Sequence, residues 1–416
     1  MRAVLRDCCS QTGGELMSLE AARRVALALA QPLGRAEDVP LSAAIGRVLA
    51  AAIEAPQSLP PFDQAAMDGY AVRVSGRTAL PLVLPVAGYS SAGDPPGVLT
   101  EGTAHRIMTG AALPGGADTV VMQEHATRKG DLVQFSADIE PGAHVRHAGE
   151  DVRAGTVVLD AGRSIGWPEV ALLAGLGIGT VPVASALRIG VLTTGSELRN
   201  AGAPLPPGAI YDGNGPMLAA LLGGPDVQVV SLTVGDDMEA IEQGLDSLAK
   251  SSDLLITTAG MSVGESDRVR EALVRAGAQF ETISVAMKPG KPLALGRLRG
   301  GCFVGLPGNP QAAACGALAF VRPMVAALLG KAPACPVTAA IAFPCRPRRG
   351  RTELLPVRLD IEQGHLTAHR SGPDGSHRLV PMVAADAIAI VPGTSPLVGI
   401  GTVVEVLPFD GARFGR

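Results

Sequence analysis

The segment from residue 187 to residue 330 alternates short apolar runs with segments of helical length. The runs are "LRIGVLTTG", "VQVVSLTVG", "DLLITTAG" and "CFVGLPG", and the helical segments are 214–222, 238–251, 266–276 and 310–329. Apolar strands without polar alternation are buried on both faces, and strands that alternate with helices are typical of a doubly wound, mainly parallel sheet. The pattern therefore predicts a central α/β domain.

The flanking segments have a different pattern. Residues 18–31 predict a helix that begins after Ser18 and ends before Pro32. Short apolar runs separated by Gly and Pro predict β-rich regions on both sides of the α/β domain, the last of them a small barrel or sandwich. The chain is thus predicted to be a multidomain α/β and β protein. Its predicted domains are 17–61 with 147–183 (a discontinuous helical-β linker), 62–146 (an inserted β domain), 184–330 (the α/β catalytic domain) and 331–416 (a C-terminal β-barrel-like domain).

Composition and charge narrow the functional classes. A net charge of −4 and an aromatic content of 3% over 416 residues argue against a nucleic-acid-binding surface. The six cysteines have no zinc-site spacing, which indicates free thiols in a reducing cytoplasm. The N-terminal stretch has no apolar signal region and no run of about 18 apolar residues occurs, so we expect a cytoplasmic protein without a membrane span.

Loops with unusual chemistry follow the predicted parallel strands. Ligands of doubly wound sheets bind at the carboxyl ends of the strands, so these loops are expected along one edge. "TTGSE" brings Glu197, "GDD" brings Asp236 and Asp237, either of which is placed to cap the helix that follows, and "TTAGMSVGESD" brings Ser262 and Asp267. Because Mg²⁺ prefers oxygen ligands and often joins carboxylates to phosphate, Glu197 and Asp267 form a candidate magnesium site.

The loop "GLPGNP" ends the last apolar run. Its glycines permit close backbone approach, Asn309 is placed to cap the next helix, and Pro310 suits the first helical turn. Such a loop at a helix N-terminus is typical of a phosphate site. An ordinary capped strand–helix turn has the same sequence, so the loop alone leaves both interpretations open.

Two lysines stand in the otherwise apolar stretch "VAMKPGKPLAL". Lys288 and Lys291 flank Pro289-Gly290, which makes a stiff and compact elbow between two strand-like segments. Lysine is costly to bury and is usually a solvated surface charge. The apolar flanks favour a different interpretation, in which the elbow holds two positive charges for a doubly charged anion.

Charged motifs also occur outside the α/β domain. "LPPFDQAAMDGYAV" contains Asp68, and "HVRHAGEDVRAG" contains Arg146 and Asp151. By composition alone each motif predicts a turn more readily than a site. The basic cluster at 345–353 is typical of a solvated face, but an arginine from it would suit an oxyanion in a neighbouring cleft.

Eight motifs together resemble one family. They are "PPFDQAAMDGYAV", "RIMTGAALPGGADTVVMQE", "GEDVRAG", "TTGSEL", "IYDGNG", "SVGESD", "KPGKP" and "GLPGNP". Their order from about residue 17 to the C-terminus is similar to that of the molybdopterin molybdenumtransferases, a family that includes the C-terminal domain of gephyrin. The resemblance implies a homodimer that converts adenylylated molybdopterin and molybdate into molybdenum cofactor and AMP with the help of Mg²⁺. It also implies apo-molybdoenzymes or their chaperones as further partners.

The resemblance assigns roles to individual residues. It implies catalytic roles for Asp68, Thr109, Asp151, Asp236 and Lys288, of which Asp68 and Thr109 would act across the dimer. It implies substrate-binding roles for Lys291, Arg351, Ser376, Arg146, Ser262, Pro307, Gly308, Asn309 and Pro310. Within these sets Lys288, Lys291, Arg351 and Ser376 would hold molybdate, and Glu197 and Asp267 would hold the metal.

The chain departs from the family pattern at five places. Ser284 stands where many members have a lysine, Ala312 where a serine is common, and Ser196 where an aspartate is usual. Ala259 replaces a glycine, and Gln64-Ala65 replaces Asn-Ser. Each lost charge-assisted contact would weaken anion binding by about 1.5–3 kcal/mol. Two alternatives to the transferase therefore stay open: a non-catalytic carrier of pterin or cofactor, and a paralogue that handles tungstate.

Overall fold

The computed structural model describes residues 16–74, 82–136, 138–258, 268–332 and 335–409. The α-helices in these ranges are α1 (Leu19–Leu29), α2 (Trp167–Gly175), α3 (Asn214–Leu222), α4 (Met238–Ser251), α5 (Arg268–Arg275), α6 (Pro310–Gly316), α7 (Arg322–Leu328) and α8 (Val380–Val383). A π-helical segment, Ala317–Val321, joins α6 to α7.

The strands fall into a central group, a C-terminal group and an N-terminal group. The central strands are β13 (Leu187–Thr194), β14 (Leu198–Arg199), β15 (Ile210–Tyr211), β16 (Val227–Val234), β17 (Leu254–Thr258), β18 (Gln279–Ser284), β19 (Met287–Lys288), β20 (Pro292–Leu298) and β21 (Gly301–Leu306). The C-terminal strands are β22 (Val337–Ile341), β23 (Thr352–Glu362), β24 (His365–Arg370), β25 (Ala387–Val391) and β26 (Val403–Pro408).

The N-terminal strands precede all of these. They are β1 (Ala36–Pro40), β2 (Ile53–Glu54), β3 (Gln64–Ala65), β4 (Gly69–Val72), β5 (Leu82–Ser90), β6 (Ala104–Ile107), β7 (Thr119–Met122), β8 (Ala126–Lys129), β9 (Leu132–Phe135), β10 (Val145–Arg146), β11 (Val157–Leu159) and β12 (Thr180–Ala184).

The central sheet has the order β16-β13-β17-β21-β20-β18, with parallel pairing over the first four strands and antiparallel pairing at the β20–β18 edge. All five residues of β17 and seven of the eight residues of β13 are buried. Helices cover both faces, because separate apolar clusters lie on each side of the sheet. The prediction of a doubly wound, mainly parallel sheet is confirmed.

Helix α1 joins this central core although it lies far away in sequence. Ser18 caps it by accepting a hydrogen bond from the Ala21 amide at 3.1 Å. Its buried face packs in the cluster that contains the π-helical segment and α7. The domain bounds stay a prediction, but the packing of α1 shows that the N-terminal helix is anchored on the central unit.

The C-terminal strands form a closed five-stranded barrel, because β23-β24-β22-β26-β25 returns to β23. Strand β19 of the central unit adds to this barrel in parallel with β23, at Met287–Lys288 and Thr352–Glu353. The start of the lysine elbow is therefore hydrogen-bonded directly to barrel strand β23.

The N-terminal strands form smaller units. Two-stranded pairs β1–β12 and β2–β11 surround α2, and the six-stranded sheet β7-β4-β6-β5-β9-β8 is inserted between them in sequence. These elements agree with the predicted β-rich region and its discontinuous neighbour.

One helical segment in the described ranges is long and apolar enough to cross a membrane by length and composition. It is Pro310–Leu328, of which 78% is buried inside the protein. The simple count of uninterrupted apolar residues missed it, because Arg322 and Pro323 interrupt the run. Its burial is that of a core helix packed against the central sheet.

Candidate active site

The loops after β13 and β16 are tied together at the carboxyl edge of the sheet. The Ser196 amide donates to Asp236 Oδ2 at 2.9 Å, and the Asp236 amide donates to Ser196 Oγ at 3.1 Å. Asp237 instead caps α4, since its Oδ2 accepts from the Ala240 amide at 3.0 Å. The serine that replaces the family's aspartate thus fastens the loop that carries Asp236.

Glu197 lies on the same loop with an exposed side chain. Its carboxylate folds over Gly195, where an added Cβ would lie 2.7 Å from Glu197 Oε2. Ser262, Asp267 and the departure at Ala259 lie outside the described residues. Within the described ranges, no group of three His, Cys, Asp or Glu side chains is arranged to hold a metal ion. The structure therefore shows one half of the candidate magnesium pair.

Asp212 is a buried carboxylate that sequence reasoning missed. It accepts from Thr193 Oγ1 at 2.7 Å, from Thr233 Oγ1 at 2.9 Å, and from the amides of Asn214 and Gly215 at 2.9 and 3.1 Å. These bonds join β13, β16 and the start of α3. The signal was present in the motif "IYDGNG", because an Asp before a helix, near Thr-rich strand ends, is an obvious N-terminal acceptor.

Asn214 connects this network to the "GLPGNP" loop. Its Nδ2 donates to the Gly308 carbonyl at 2.7 Å, while its Oδ1 is buried without a partner in the described structure. The loop leaves β21 after Leu306, and α6 begins at Pro310. Asn309 occupies the N-cap position, as predicted, but its side chain makes no capping hydrogen bond.

The lysine elbow is held by a buried acid of the barrel. Lys288 Nζ lies 3.1 Å from Glu353 Oε2 and 3.4 Å from Oε1. The Lys288 side chain is 41% exposed and that of Glu353 only 6%. The Arg348 amide donates to Glu353 Oε1 at 3.3 Å. The Lys288 ammonium therefore contacts Glu353 on one side, and on the other side it faces the cavity described next.

Gly290 makes the elbow compact. Its φ is +98°, in the region that favours glycine, and an added Cβ would lie 3.0 Å from Met287 Cε. The preceding Lys288–Pro289 peptide is cis. The Pro-Gly pair thus forms the compact link between β19 and β20 that the motif predicted.

A cavity of about 420 Å³ opens between the elbow, the sheet-edge loop and the barrel. The barrel segment is attached to α6 by a hydrogen bond of 3.0 Å from the Gln311 amide to the Ser376 carbonyl. Three parts of the sequence separated by up to 88 residues therefore form one concave site. The predicted residues that line it are Lys288, Pro307, Asn309 and Ser376, together with Glu353 and the departing residue Ala312.

The second lysine and the predicted arginine occupy different positions. Lys291 has an exposed side chain, and neither it nor Arg351 lines this cavity. Arg351 is half-buried, and its carbonyl lies 2.0 Å from where a Cβ of Gly393 would be. The structure brings Lys288 into the cavity and leaves Lys291 and Arg351 beside it, so a shared anion contact of the two lysines stays a prediction.

Asp68 and Thr109 meet on the inserted β domain. Asp68 Oδ1 accepts from the Thr109 amide at 2.7 Å and from Thr109 Oγ1 at 2.6 Å. These two hydrogen bonds lower the pKa of the Asp68 carboxyl below its ordinary value, chiefly through the Thr109 hydroxyl. The pair is therefore fixed and charged at neutral pH.

Arg146 and Asp151 lie near the same unit with exposed side chains. Asp151 lines a second, more polar cavity of about 530 Å³ with Gly149, Arg153 and Thr156. No described hydrogen bond or ion pair joins Asp68, Thr109, Arg146 or Asp151 to the 420 Å³ cavity. A single chain thus presents two separate groups of predicted site residues.

Comparison with known proteins identifies the family. Family models match residues 17–177 (MoeA N-terminal region, domain I and II), 190–327 (probable molybdopterin binding domain) and 338–409 (MoeA C-terminal region, domain IV). A Mycobacterium tuberculosis protein named molybdopterin molybdenumtransferase 2 is 38% identical over 385 residues, which are 88% of this chain and 94% of that protein. The chain belongs to the molybdopterin molybdenumtransferase family. The resemblance predicted from the eight motifs is confirmed, and the chain is accordingly an enzyme of molybdenum cofactor biosynthesis.

Other relatives agree with this family and fold. The molybdopterin molybdenumtransferase of Haemophilus influenzae is 37% identical over 379 residues, with coverage of 89% of this chain and 93% of that one. The crystal structure of a molybdopterin biosynthesis MoeA protein from Pyrococcus horikoshii has a TM-score of 0.81 and 29% identity, and the match covers 96% of this chain and 100% of that chain. The predicted multidomain fold with a C-terminal barrel is confirmed.

Proposed function

We propose that this molybdenumtransferase inserts molybdenum from molybdate into adenylylated molybdopterin, with release of AMP and formation of molybdenum cofactor. The observation that carries the proposal is the Lys288 ammonium, which lines the 420 Å³ cavity together with Asn309 and Ser376. A tetrahedral dianion is held by a positive charge and by hydrogen-bond donors, and these three side chains supply both.

Lys291 and Arg351 complete the molybdate seat from its rim in this proposal. Lys291 follows Lys288 by three residues on the same elbow, and its exposed side chain has free rotamers. Arg351 directly precedes strand β23, which carries Glu353. Long cationic side chains at the rim are drawn to a bound dianion by Coulomb attraction.

The "GLPGNP" loop is proposed to hold the nucleotide phosphates through Pro307, Gly308, Asn309 and Pro310. The bond from Asn214 to the Gly308 carbonyl fixes this loop against α3. Ser262 is assigned to the same substrate by its motif. Phosphoanhydride cleavage asks little covalent chemistry of a protein, so positioning and electrostatics supply most of the rate.

The residues at the sheet edge fit a magnesium ion. Glu197 is an exposed carboxylate, and Mg²⁺ commonly takes one or two carboxylates while substrate phosphates and water fill its other positions. Glu197 and Asp267 would hold the ion, which when bound would offset the negative charge of the phosphoanhydride. Asp236, fixed by the Ser196 amide at 2.9 Å, is proposed to position the substrate beside them.

The residues outside the cavity are proposed to act on a second copy of the chain. Asp68, Thr109, Arg146 and Asp151 do not line the cavity of their own chain, and a symmetric homodimer brings equivalent surfaces of its two subunits together. The Asp68 carboxylate, fixed by Thr109, would then close the partner's site. We further propose that the enzyme works in the cytoplasm and passes its product to apo-molybdoenzymes or their chaperones.

An AMP-release assay tests the proposal. Purified enzyme is incubated with molybdate, Mg²⁺ and adenylylated molybdopterin, and AMP is quantified with and without each component. We expect release that needs molybdate and falls sharply in Lys288→Ala, while Lys250→Ala, a surface lysine paired with Asp246 on α4, behaves as wild type. Equal release by Lys288→Ala and wild type would exclude the proposed molybdate seat.

Two outcomes of the same assay identify the alternatives. Tight binding of cofactor without AMP release would indicate a carrier, which the loss of a hydroxyl at cavity residue Ala312 favours. Tungstate that outcompetes molybdate in the insertion step would indicate a tungstate enzyme, because the two anions have nearly the same size and charge.

A further inference from the structure

Glu353 is the buried acid of the cavity wall. Its side chain is 6% exposed, and its described partners are the Lys288 ammonium, at 3.1 Å from Oε2, and the Arg348 amide, at 3.3 Å from Oε1. A buried carboxylate needs a charged partner, and Lys288 is the cation within ion-pair distance. The positive charge of Lys288 is therefore already neutralised by a group of the protein itself.

The same geometry puts Glu353 next to any anion that Lys288 binds. An anion oxygen in contact with an ammonium lies about 2.8 Å from its nitrogen, so it can be no farther than about 6 Å from Glu353 Oε2. Like charges at that separation repel appreciably even with the screening of a protein surface. Glu353 thus opposes the anion that Lys288 attracts.

We propose that Glu353 is the internal counter-ion of Lys288, a positioning residue that holds the ammonium on the cavity wall and competes with the incoming oxyanion for it. The inference rests on the proposed molybdate seat and adds a specific role to it. This competition keeps the binding of free molybdate weak. The complex of enzyme and molybdate is therefore not so stable that it raises the barrier to the reaction with the pterin.

Removing the Glu353 carboxylate also has an effect that would weaken anion binding, because it loosens Lys288, but this effect is the smaller one. Lys288 would lose its ionic partner, but its backbone stays fixed by the parallel pairing of β19 with β23. A glutamine at position 353 keeps one carbonyl oxygen, which at the Oε1 position accepts from the Arg348 amide and lies within reach of Lys288 Nζ. The gain from removing a repelling charge therefore exceeds the loss of side-chain order.

The test measures molybdate alone binding to purified full-length protein by isothermal titration calorimetry. We expect Glu353→Gln to tighten the Kd for molybdate at least tenfold and Lys288→Gln to weaken it at least tenfold. Glu405→Gln is the matched control, because Glu405 joins the barrel to Arg23 of α1 by an ion pair of 3.0 Å outside the cavity; its Kd should equal that of wild type.

Kinetics separate a counter-ion from a structural fastener. In the AMP-release assay Glu353→Gln should lower the KM for molybdate at least tenfold without raising kcat, whereas a merely structural role would lower kcat or raise KM. If Glu353→Gln does not fold, Glu353→Asp serves instead. It keeps the charge but withdraws it from Lys288, so its Kd for molybdate should be lower than that of wild type if Glu353 competes for the ammonium.

The outcomes distinguish this inference from the proposed function. Weaker binding by Lys288→Gln with unchanged or weaker binding by Glu353→Gln, or by Glu353→Asp in its place, would overturn the counter-ion role and leave the molybdate seat intact. Equal binding by Lys288→Gln and wild type, or no binding by any variant, would overturn the molybdate seat and the counter-ion role together.

Discussion

The cavity at the barrel seam and the Asp68–Thr109 pair of the inserted β domain are built in contrasting ways. The cavity gathers side chains from three distant segments of one chain, and the ion pair between the partly exposed Lys288 and the buried Glu353 lines it. The Asp68–Thr109 pair is exposed, and two hydrogen bonds join its two members directly. The comparison teaches that distant segments of one chain assemble the cavity, whereas the Asp68–Thr109 pair does not line it; in the proposed homodimer this pair would meet the partner's site.

The largest effect is expected from Lys288. Lys288→Ala removes the cavity's cation and leaves Glu353 buried without its charge partner, so kcat/KM for AMP release should fall about 100-fold, the upper range for a charge-assisted contact. Lys291→Ala, on the exposed end of the same elbow, should cost about tenfold or less. An equal loss for both lysines would show that the structure's separation of the two has no functional meaning.

The next largest effect is expected from substitution of Asp212, and it concerns the stability of the fold and not the rate of turnover. Asp212→Ala strands two threonine hydroxyls and two amides, and should lower the free energy of unfolding by about 2 kcal/mol, since Thr193 and Thr233 can still bond to each other. Urea unfolding measures the change, with Asp68→Ala as the exposed comparison. A larger cost for Asp68→Ala would reverse the contrast between the two regions.

A smaller loss is predicted for Asp68 itself. Asp68→Ala should reduce AMP release about tenfold, through the loss of one charged contact. Mixing and refolding Asp68→Ala with Lys288→Ala should restore activity to about a quarter of wild type, because half of randomly formed symmetric dimers carry one intact site. Activity that stays at the level of the separate variants would contradict an Asp68 contribution across the dimer.

The smallest effect concerns the pH dependence of the inserted β domain. His105 is buried and its Nε2 lies 2.8 Å from Ser90 Oγ, and burial lowers the pKa of His105 below its ordinary value. A histidine held neutral by the fold stabilises it above about pH 6.5, and that stability is lost as the pH falls and the unfolded chain takes up the proton. Thermal melts at pH 7.5 and 5.5 should show a fall in Tm that is about 2–4 °C larger for wild type than for His105→Gln. Equal falls would remove His105 as the cause.

Sequence patterning predicted the regions whose chemistry is local. The apolar runs predicted β13, β17 and β21, whose residues are mostly buried on both faces of the sheet. The run at 227–234 also forms a strand, β16, but it lies at the sheet edge and only Val227 is buried. The C-terminal region was left between barrel and sandwich, since alternating strands in either arrangement have the same sequence pattern and only the closure of β25 on β23 decides.

The sequence predicted those parts of the site whose residues all lie within a single motif. The elbow and the "GLPGNP" loop follow from local residue types, and so does a helix cap in "GDD", although only the structure shows that Asp237 and not Asp236 is the cap. The Lys288–Glu353 pair was not predictable, because 65 residues separate the partners and the basic cluster before Glu353 drew attention to its arginines. Lys291 follows Lys288 by three residues on the same elbow, but its side chain is exposed and does not line the cavity, a difference that the motif does not encode.

The most direct test of the Lys288 seat is anomalous diffraction at the molybdenum edge from crystals soaked with molybdate. The account predicts an anomalous peak within about 5 Å of Lys288 Nζ, on the side of the cavity that Ser376 lines, because an ammonium contacts the oxygens of the anion and not its metal. A molybdenum peak elsewhere on the protein, with the Lys288–Glu353 cavity filled only by solvent, would contradict it.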